Sequence, residues 1–264
     1  FDDMGDNVYR FSEYPDWYAG PEGRNYWKSQ WFVVNAMYYN PSVNYAPWPS
    51  YAGHIFSNAD VDKPKSHPAS SDRFQLDLAG ISLRLDGVNI PHSHYYVYSA
   101  YADKPYLVVI DKAESSIKYY AAMVVGSGLA EKVTALSIDN APPLDVVTGR
   151  TYDQERQNFS NWFTYHRRRE FVAKSAIANL LQTLSEVRVG IYGINRRIVC
   201  PLASVRITQG ANIVDGSAVL IQELYRYQSE GGTPLKEGLD TVGAYYKENS
   251  GSLSGIAALS LTGV

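Results

Sequence analysis

QNFSNWFTYHRRREFVAKSAIANLLQTLSEVRVGIYGI, residues 157–194, is the stretch on which the fold class turns. Phe159, Trp162, Phe163, Phe171, Ala173, Ile177, Leu180, Leu181 and Leu184 recur at helical spacing, which predicts one long helix over 157–184. Residues 187–194 are short and nearly all apolar, the pattern of a strand buried in a parallel sheet. Working outward, 198–207 is a further candidate strand, which Pro201 places at an edge or interrupts. Residues 217–227 predict a second helix, with Val219, Leu220, Leu224 and Tyr227 on one stripe. Gly231-Gly232-Thr233-Pro234 breaks it and opens a third over 235–247, with Pro234 in the first turn, where its missing N–H costs nothing. Residues 256–261 read as a second buried strand, and helix, strand, helix, helix, strand is the grammar of an α/β domain.

Before residue 150 the chain reads differently. It is rich in Tyr, Trp, Pro, Asn and Ser, with short apolar runs at 31–34, 74–78, 95–98, 106–110 and 119–125 bounded by turn residues, and these predict strands. Between them, 38–72 carries five prolines (41, 47, 49, 64 and 68) without periodicity, so an ordered but irregular excursion is expected.

Composition narrows the function. Lys and Arg total 24 against 27 Asp and Glu, a formal net charge of -3, which gives no basic footprint for nucleic acid. No stretch approaches the roughly 18 apolar residues of a membrane helix, and no signal-peptide pattern opens the chain. Phe1-Asp2-Asp3 reads like the interior of a protein, so any targeting segment is expected to have been removed. With Cys200 alone, neither an internal disulfide nor a thiolate zinc cluster can form, and the residue is expected to pack as a small hydrophobe. The 22 Tyr against 8 Phe place the aromatic weight on rings with a polar tip. A hydrolase elbow, a Walker loop, H-E-x-x-H and G-x-G-x-x-G are all missing, and no enzymatic activity is expected.

Several stretches resemble, in order, the signatures of one family. Gln157-Asn158-Phe159-Ser160-Asn161-Trp162, Tyr165, Arg167-Arg168 and Ala173-Lys174-Ser175-Ala176 are similar to its QNFANW-Y-RR-AKAA run. Tyr38-Tyr39-Asn40-Pro41, Val43, Tyr45 and Pro47-Trp48 resemble its YYNP-V-Y-PW segment, and 90–96, IPHSHYY, its IP-AHYY strand. Val187-Arg188, Gly190 and Ile194-Asn195 resemble its VR-G-IN strand, and 231–246 its GGTPL-ALD-VG-YF helix. The family is the PilY/PilC group of type IV pilus tip-associated adhesins. The resemblance implies a von Willebrand factor A-like α/β core, an open sheet flanked by helices, over 1–6 and 151–264, with 7–150 as a long β-rich, Tyr-rich insertion. The family's C-terminal β-propeller has no counterpart, so a fragment or a short form is expected.

The resemblance also implies a cation site. Phe1-Asp2-Asp3-Met4-Gly5-Asp6-Asn7 stands where the family has FDDSGSM, and Thr233 stands at the Thr of the GGT turn. Asp2, Asp6 and Thr233 form a degenerate set for Mg or Ca, hard ions that want oxygen, whereas Met4 offers none and the later loop, 261–264, lacks its Asp. Asp111 to Ser115 mimics the same motif and is read as a charged hairpin turn. His92 and His94 alternate on a predicted strand without a third ligand at a suggestive spacing. Arg167, Arg168 and Arg169 are read as a solvated face or as ion pairs with carboxylates such as Glu155 and Glu170.

Three functions follow. The first, implied by the resemblance, is an exported adhesin that passes through the periplasm to the pilus tip, with minor pilins and a host or abiotic surface as partners. Its expected contact residues are Tyr38, Tyr39, Tyr45 and Trp48, because amphipathic aromatics dominate binding hot spots. The others are a structural filament subunit and a cation-dependent binding module for a soluble ligand.

Overall fold

A computed structural model describes residues 26–69, 76–194, 197–228, 232 and 234–249. The chain is mixed α/β and divides into two compact units, one built from 26–48 and 56–171, the other from 49–55 and 172–249 among the described residues. This boundary lies about twenty residues beyond the change of grammar at 150.

The first unit is organised by an antiparallel meander of four strands: β3 (His94–Ser99), β4 (Lys104–Asp111), β5 (Ser116–Val125) and β6 (Lys132–Ile138). Asp111 to Ser115 closes the β4–β5 hairpin, with Lys118 gripping Asp111 at 2.7 Å, so the cation-motif mimic is a charged turn. β4 is buried on both faces, which explains why its apolar run carries no alternation. On one face Tyr95, Val97, Tyr106, Val108 and Ile110 pack under helix α1 (Tyr152–Tyr165) with Tyr39, Phe159, Trp162 and Phe163. On the other, Tyr96, Leu107, Val109, Ala122 and Val133 meet Trp27 and a hairpin of β1 (Ile81–Leu85) and β2 (Val88–Pro91). That hairpin turns at Asp86-Gly87 with φ of 50° and 76°, the positive values a two-residue turn needs. The run at 31–34, expected as a strand, follows a 3₁₀ turn at Trp27–Gln30 as further turns. Trp31 leans on Trp27 and Tyr98 at ring distances of 5.1 and 6.0 Å, packing that its β-propensity does not reveal.

The expected single helix over 157–184 is two helices. α1 ends at Tyr165, and α2 (Arg169–Thr183) begins after a break at 166–168. The break has a local cause: Arg167 folds back to donate to the Phe163 carbonyl at 2.6 Å and reaches the Ser66 carbonyl, while its guanidinium lies 4.3 Å from the Phe163 ring centre. Arg167 and Arg168 are therefore buried over aromatic rings instead of forming a solvated face, and Glu155 pairs with Arg150.

In the second unit β7 (Val187–Gly193) pairs antiparallel with β8 (Arg197–Val205), which corrects the reading of 187–194 as a strand of a parallel sheet. An apolar run fixes burial and leaves the direction of the neighbour undetermined. Helix α3 (Ser217–Arg226) packs on this pair through Leu220, Ile221 and Leu224. Helix α4 (Leu235–Asn249) comes close enough that a Cβ on Gly238 would sit 3.2 Å from the Ile194 carbonyl oxygen. A ribbon of β9 (Ile207–Gln209) and β10 (Asn212–Val214) projects between β8 and α3. All sheets among the described residues are antiparallel, and the expected strand at 256–261 lies outside them. No helix of the described residues is long and apolar enough to cross a membrane.

Candidate functional site

The expected contact residues gather around α1. That helix starts with a capping box: Thr151 Oγ1 accepts from the Gln154 amide at 3.3 Å, and Gln154 Oε1 accepts from the Thr151 amide at 2.9 Å. This start turns Glu155 toward the sheet, where it is 0% exposed. Its Oε1 accepts from Tyr39 and Tyr95 hydroxyls at 2.8 and 2.9 Å. Its Oε2 accepts from Arg150 Nη1 at 2.8 Å and Thr148 Oγ1 at 3.3 Å. Arg150 spends its other donors on the carbonyls of Pro41 (2.7 Å) and Val43 (3.0 Å) and on Asn44 Oδ1 (2.8 Å). A buried charge of this kind is tolerated because it is paired and its lone pairs are satisfied. Burial first, and the Glu155 charge second, push the Tyr39 and Tyr95 hydroxyls far above the ordinary tyrosine range, so both stay neutral donors. Burial works against the Arg150 charge, but Glu155 outweighs it and the guanidinium is held more firmly protonated.

Further along, α1 presents amide side chains to the backbone of the irregular segment. Asn158 donates to the Val43 carbonyl (2.8 Å) and accepts from the Tyr45 amide (2.7 Å). Asn161 donates to the Tyr45 carbonyl (2.9 Å) and accepts from the Ala59 amide (2.9 Å), and Gln157 donates to the Ala59 carbonyl (2.9 Å). Trp162 reaches Met37 O at 3.3 Å, Tyr165 reaches Ser57 O at 2.7 Å and His166 reaches Ala46 O at 2.8 Å. The described residues of this proline-rich segment form no strand, yet their main chain still has to be satisfied, and α1 supplies several of the partners one residue at a time.

Tyr39 and Trp48, expected to meet a partner, are 0% and 2% exposed. Tyr39 lies between Tyr95 and Phe159 at ring distances of 4.9 and 5.0 Å. Trp48 donates to the Tyr165 carbonyl at 2.9 Å and packs edge-on to Phe56 and Phe171. Tyr38 and Tyr45 are half-buried: Tyr38 bonds Gln30 at 3.2 Å, and the Tyr45 ring lies tilted against His166 at 5.1 Å. In this structure the four fasten the segment. Asp2, Asp6 and Thr233 lie outside the described residues, and no cluster of three His, Cys, Asp or Glu within them is placed to hold a metal. His94 is buried with Nδ1 2.6 Å from the Pro91 carbonyl and Nε2 2.8 Å from the Gln30 amide, so both ring nitrogens are engaged. Cys200 is 3% exposed, and burial pushes its thiol up.

Two of the most exposed apolar side chains of the first unit lie away from these four residues. Tyr101 and Leu144 are 90% and 91% exposed, and Asp145 joins their loops by accepting from Ser99 Oγ (2.8 Å) and the Tyr101 amide (3.2 Å). Sequence reasoning passed over this corner because an isolated Tyr and Leu between turn residues carry no periodic signal. The second unit has an open cleft of about 390 Å³ lined by Tyr51, Gly53, Gln182, Arg206, Ser217 and Ile221. Its polar groups already bond within that unit: Gln182 to the Ser50 carbonyl at 2.7 Å, and Arg206 to the Leu184 carbonyl at 3.2 Å and Asp215 at 3.4 Å. In the same unit buried Lys174 donates to the Tyr227 carbonyl just past the end of α3, where a cation complements the helix dipole.

Comparison with protein-family models, with curated proteins and with solved structures finds no match for the chain.

Proposed function

We propose that the chain is a non-enzymatic component of a type IV pilus tip, exported to the cell surface, where it supports pilus assembly with minor pilins and adhesion to a host or abiotic surface. One observation carries this reading: stretches that separately resemble the PilY/PilC signatures meet at one hydrogen-bonded centre. Tyr39 of the YYNP-like stretch and Tyr95 of the IPHSHYY-like strand both bond Glu155, 116 and 60 residues away, and Asn158 of the QNF-like run bonds the Tyr39 hydroxyl at 2.7 Å. Chance likeness between scattered short strings gives no reason for them to assemble in space. The closed setting of Glu155 also favours a fastening role over acid–base chemistry, which needs a carboxyl within reach of substrate.

The finer fold is part of the proposal. α2, the β7–β8 pair, α3 and α4 follow in the order of a von Willebrand factor A-like core, and 256–261 would add a strand to it. In that core Asp2, Asp6 and Thr233 would offer oxygen ligands to Mg or Ca, a set weakened by Met4, so calorimetry with either ion is expected to give little heat. The adhesive contact is assigned to the corner of Tyr101 and Leu144, exposed apolar side chains on fixed loops.

Mass spectrometry of pili sheared from the native cell tests the assignment. Peptides of this chain far below the level of the major pilin, and lost when a minor pilin is deleted, are expected. Abundance equal to the major pilin would favour a filament subunit, and absence from sheared pili would overturn the tip assignment.

A further inference from the structure

The β9–β10 ribbon differs from the other strands in what borders it. Its register pairs Gln209 with Asn212, Thr208 with Ile213 and Ile207 with Val214 around Gly210-Ala211, with Gly210 at φ of 62°. In a two-residue hairpin the pair flanking the turn exchanges both hydrogen bonds and the next pair exchanges none. Thr208 and Ile213 therefore turn their N–H and C=O groups away from each other. The Thr208 side bears this out, because its amide donates outward to Glu186 Oε1 at 3.0 Å and its hydroxyl donates to the same oxygen at 2.8 Å. The outer edge of β9 is thus capped by a carboxylate. The outer edge of β10 has no such cover among the described residues: Asn212, Ile213 and Val214 are all exposed, Ile213 to 71%.

Exposed edges are normally protected by Lys, Pro, a bulge or a covering element. Residues 207–214, ITQGANIV, contain neither Lys nor Pro nor any charge, and the paired register runs without a bulge. We propose that the outer edge of β10 is a self-association site, at which Ile213 pairs antiparallel with Ile213 of a second copy across a two-fold axis. The geometry is self-complementary. A residue that directs both its N–H and its C=O outward can exchange both bonds with its own symmetry mate, which is what an isologous contact requires. In that register Asn212 faces Val214 of the second copy, and Asp215 faces Ala211, so no like charges meet. Asp215 is moreover already paired with Arg206 at 3.4 Å. The product is a four-stranded β9–β10–β10–β9 sheet, a closed dimer and not an open fibre. The contact is small, so it belongs among weak, concentration-dependent interfaces.

The test is sedimentation equilibrium of the full chain from about 10 to about 500 μM, a range suited to a weak dimer. The weight-average mass is expected to rise toward twice the monomer with increasing concentration. Ile213→Pro removes the outward N–H, and Ile213→Lys keeps the backbone but sets two like charges opposite each other, so each is expected to leave a monomer throughout. Because a proline also constrains the ribbon itself, the third variant leaves the main chain alone. Ile213→Cys treated with a short bis-maleimide is expected to yield a covalent dimer, whereas Gln209→Cys on the distal strand is not. Cys200 is 3% exposed and contributes no background. A monomer at every concentration, a dimer that survives Ile213→Lys, or equal cross-linking at 209 and 213 would each overturn the proposal.

Discussion

Asn158→Ala tests whether side chains of α1 substitute for the missing strand partners of the irregular segment. Asn158 is 7% exposed and makes three hydrogen bonds of 2.7 to 2.8 Å, with the Tyr39 hydroxyl, the Val43 carbonyl and the Tyr45 amide. After truncation the Val43 carbonyl keeps Arg150, and the Tyr39 hydroxyl still donates to Glu155, so each loses only one bond. The Tyr45 amide loses its acceptor and stays half-buried. Two net hydrogen bonds at about 1 kcal/mol each, with one orphaned amide at the low end of about 1–3 kcal/mol, give a loss of about 3 kcal/mol. At about 2–4 °C per kcal/mol for a chain of this size, the unfolding midpoint should fall by about 6–12 °C. Urea unfolding followed by tryptophan fluorescence is the right assay, because Trp27, Trp31, Trp48 and Trp162 all belong to the first unit. Asn158→Asp is the control. It keeps an acceptor for Tyr45 but loses both donors and adds a carboxylate beside the hydroxyl that Glu155 already uses, so it should be no more stable than the alanine variant. A loss below about 1 kcal/mol with an unchanged denaturant slope would refute the reasoning, because the amide would then be fastening nothing.

Three further perturbations follow, two at this centre and one at the β5–β6 connection. Glu155→Ala leaves Arg150, Tyr39 and Tyr95 facing a void and should cost about 3–5 kcal/mol by urea titration, whereas Glu155→Gln, which keeps the volume and one acceptor oxygen, should cost less. His166 is held below the ordinary 6.5 by burial, against which its bond to Ala46 works weakly. The unfolded chain therefore binds the proton first, and stability is complete above pH 6.5 and declines as pH falls through the lower folded value. Melting curves from pH 7.5 to 5 should thus be less pH-dependent in His166→Gln than in the parent. Gly126 has φ of 98°, and an added Cβ would lie 2.8 Å from the Ala130 carbonyl oxygen, so Gly126→Ala should lower the melting temperature, with a cost above about 1 kcal/mol.

Much of the secondary structure was legible, and the misreadings share a cause. β3, β4, β5, α3 and α4 all appear as periodic or apolar runs, and the proline-dense stretch is irregular as expected. Thr151-x-x-Gln154 marked the start of α1, and Asp86-Gly87 marked the β1–β2 turn, both local signals that went unused. The break after Tyr165 carries no Gly or Pro; it arises where Arg167 reaches back to the ring and carbonyl of Phe163 and across to the carbonyl of Ser66, which is distant in sequence. Nor can a run such as 187–194 state which strand lies beside it. The aromatic contact set rests on ring chemistry, which is ambiguous because tyrosine suits both a wet surface and a core containing irregular backbone. The second use is visible in the hydroxyls of Tyr39, Tyr95, Tyr165 and Tyr225, each of which ends on a carboxylate or carbonyl inside its own unit.

The manner in which α1 holds the irregular segment also bears on what the segment can become. Gln157, Asn158, Asn161, Tyr165 and His166 address the main chain at Val43, Tyr45, Ala46, Ser57 and Ala59, atoms that every amino acid supplies. Val43, Ala46 and Ser57 turn their side chains to solvent while their carbonyls are engaged below. Replacements at those three positions leave the attachments untouched, so the outer surface of the segment is free to diversify over a fixed path. The amides of the helix and the few inward rings, in contrast, have almost no room to change.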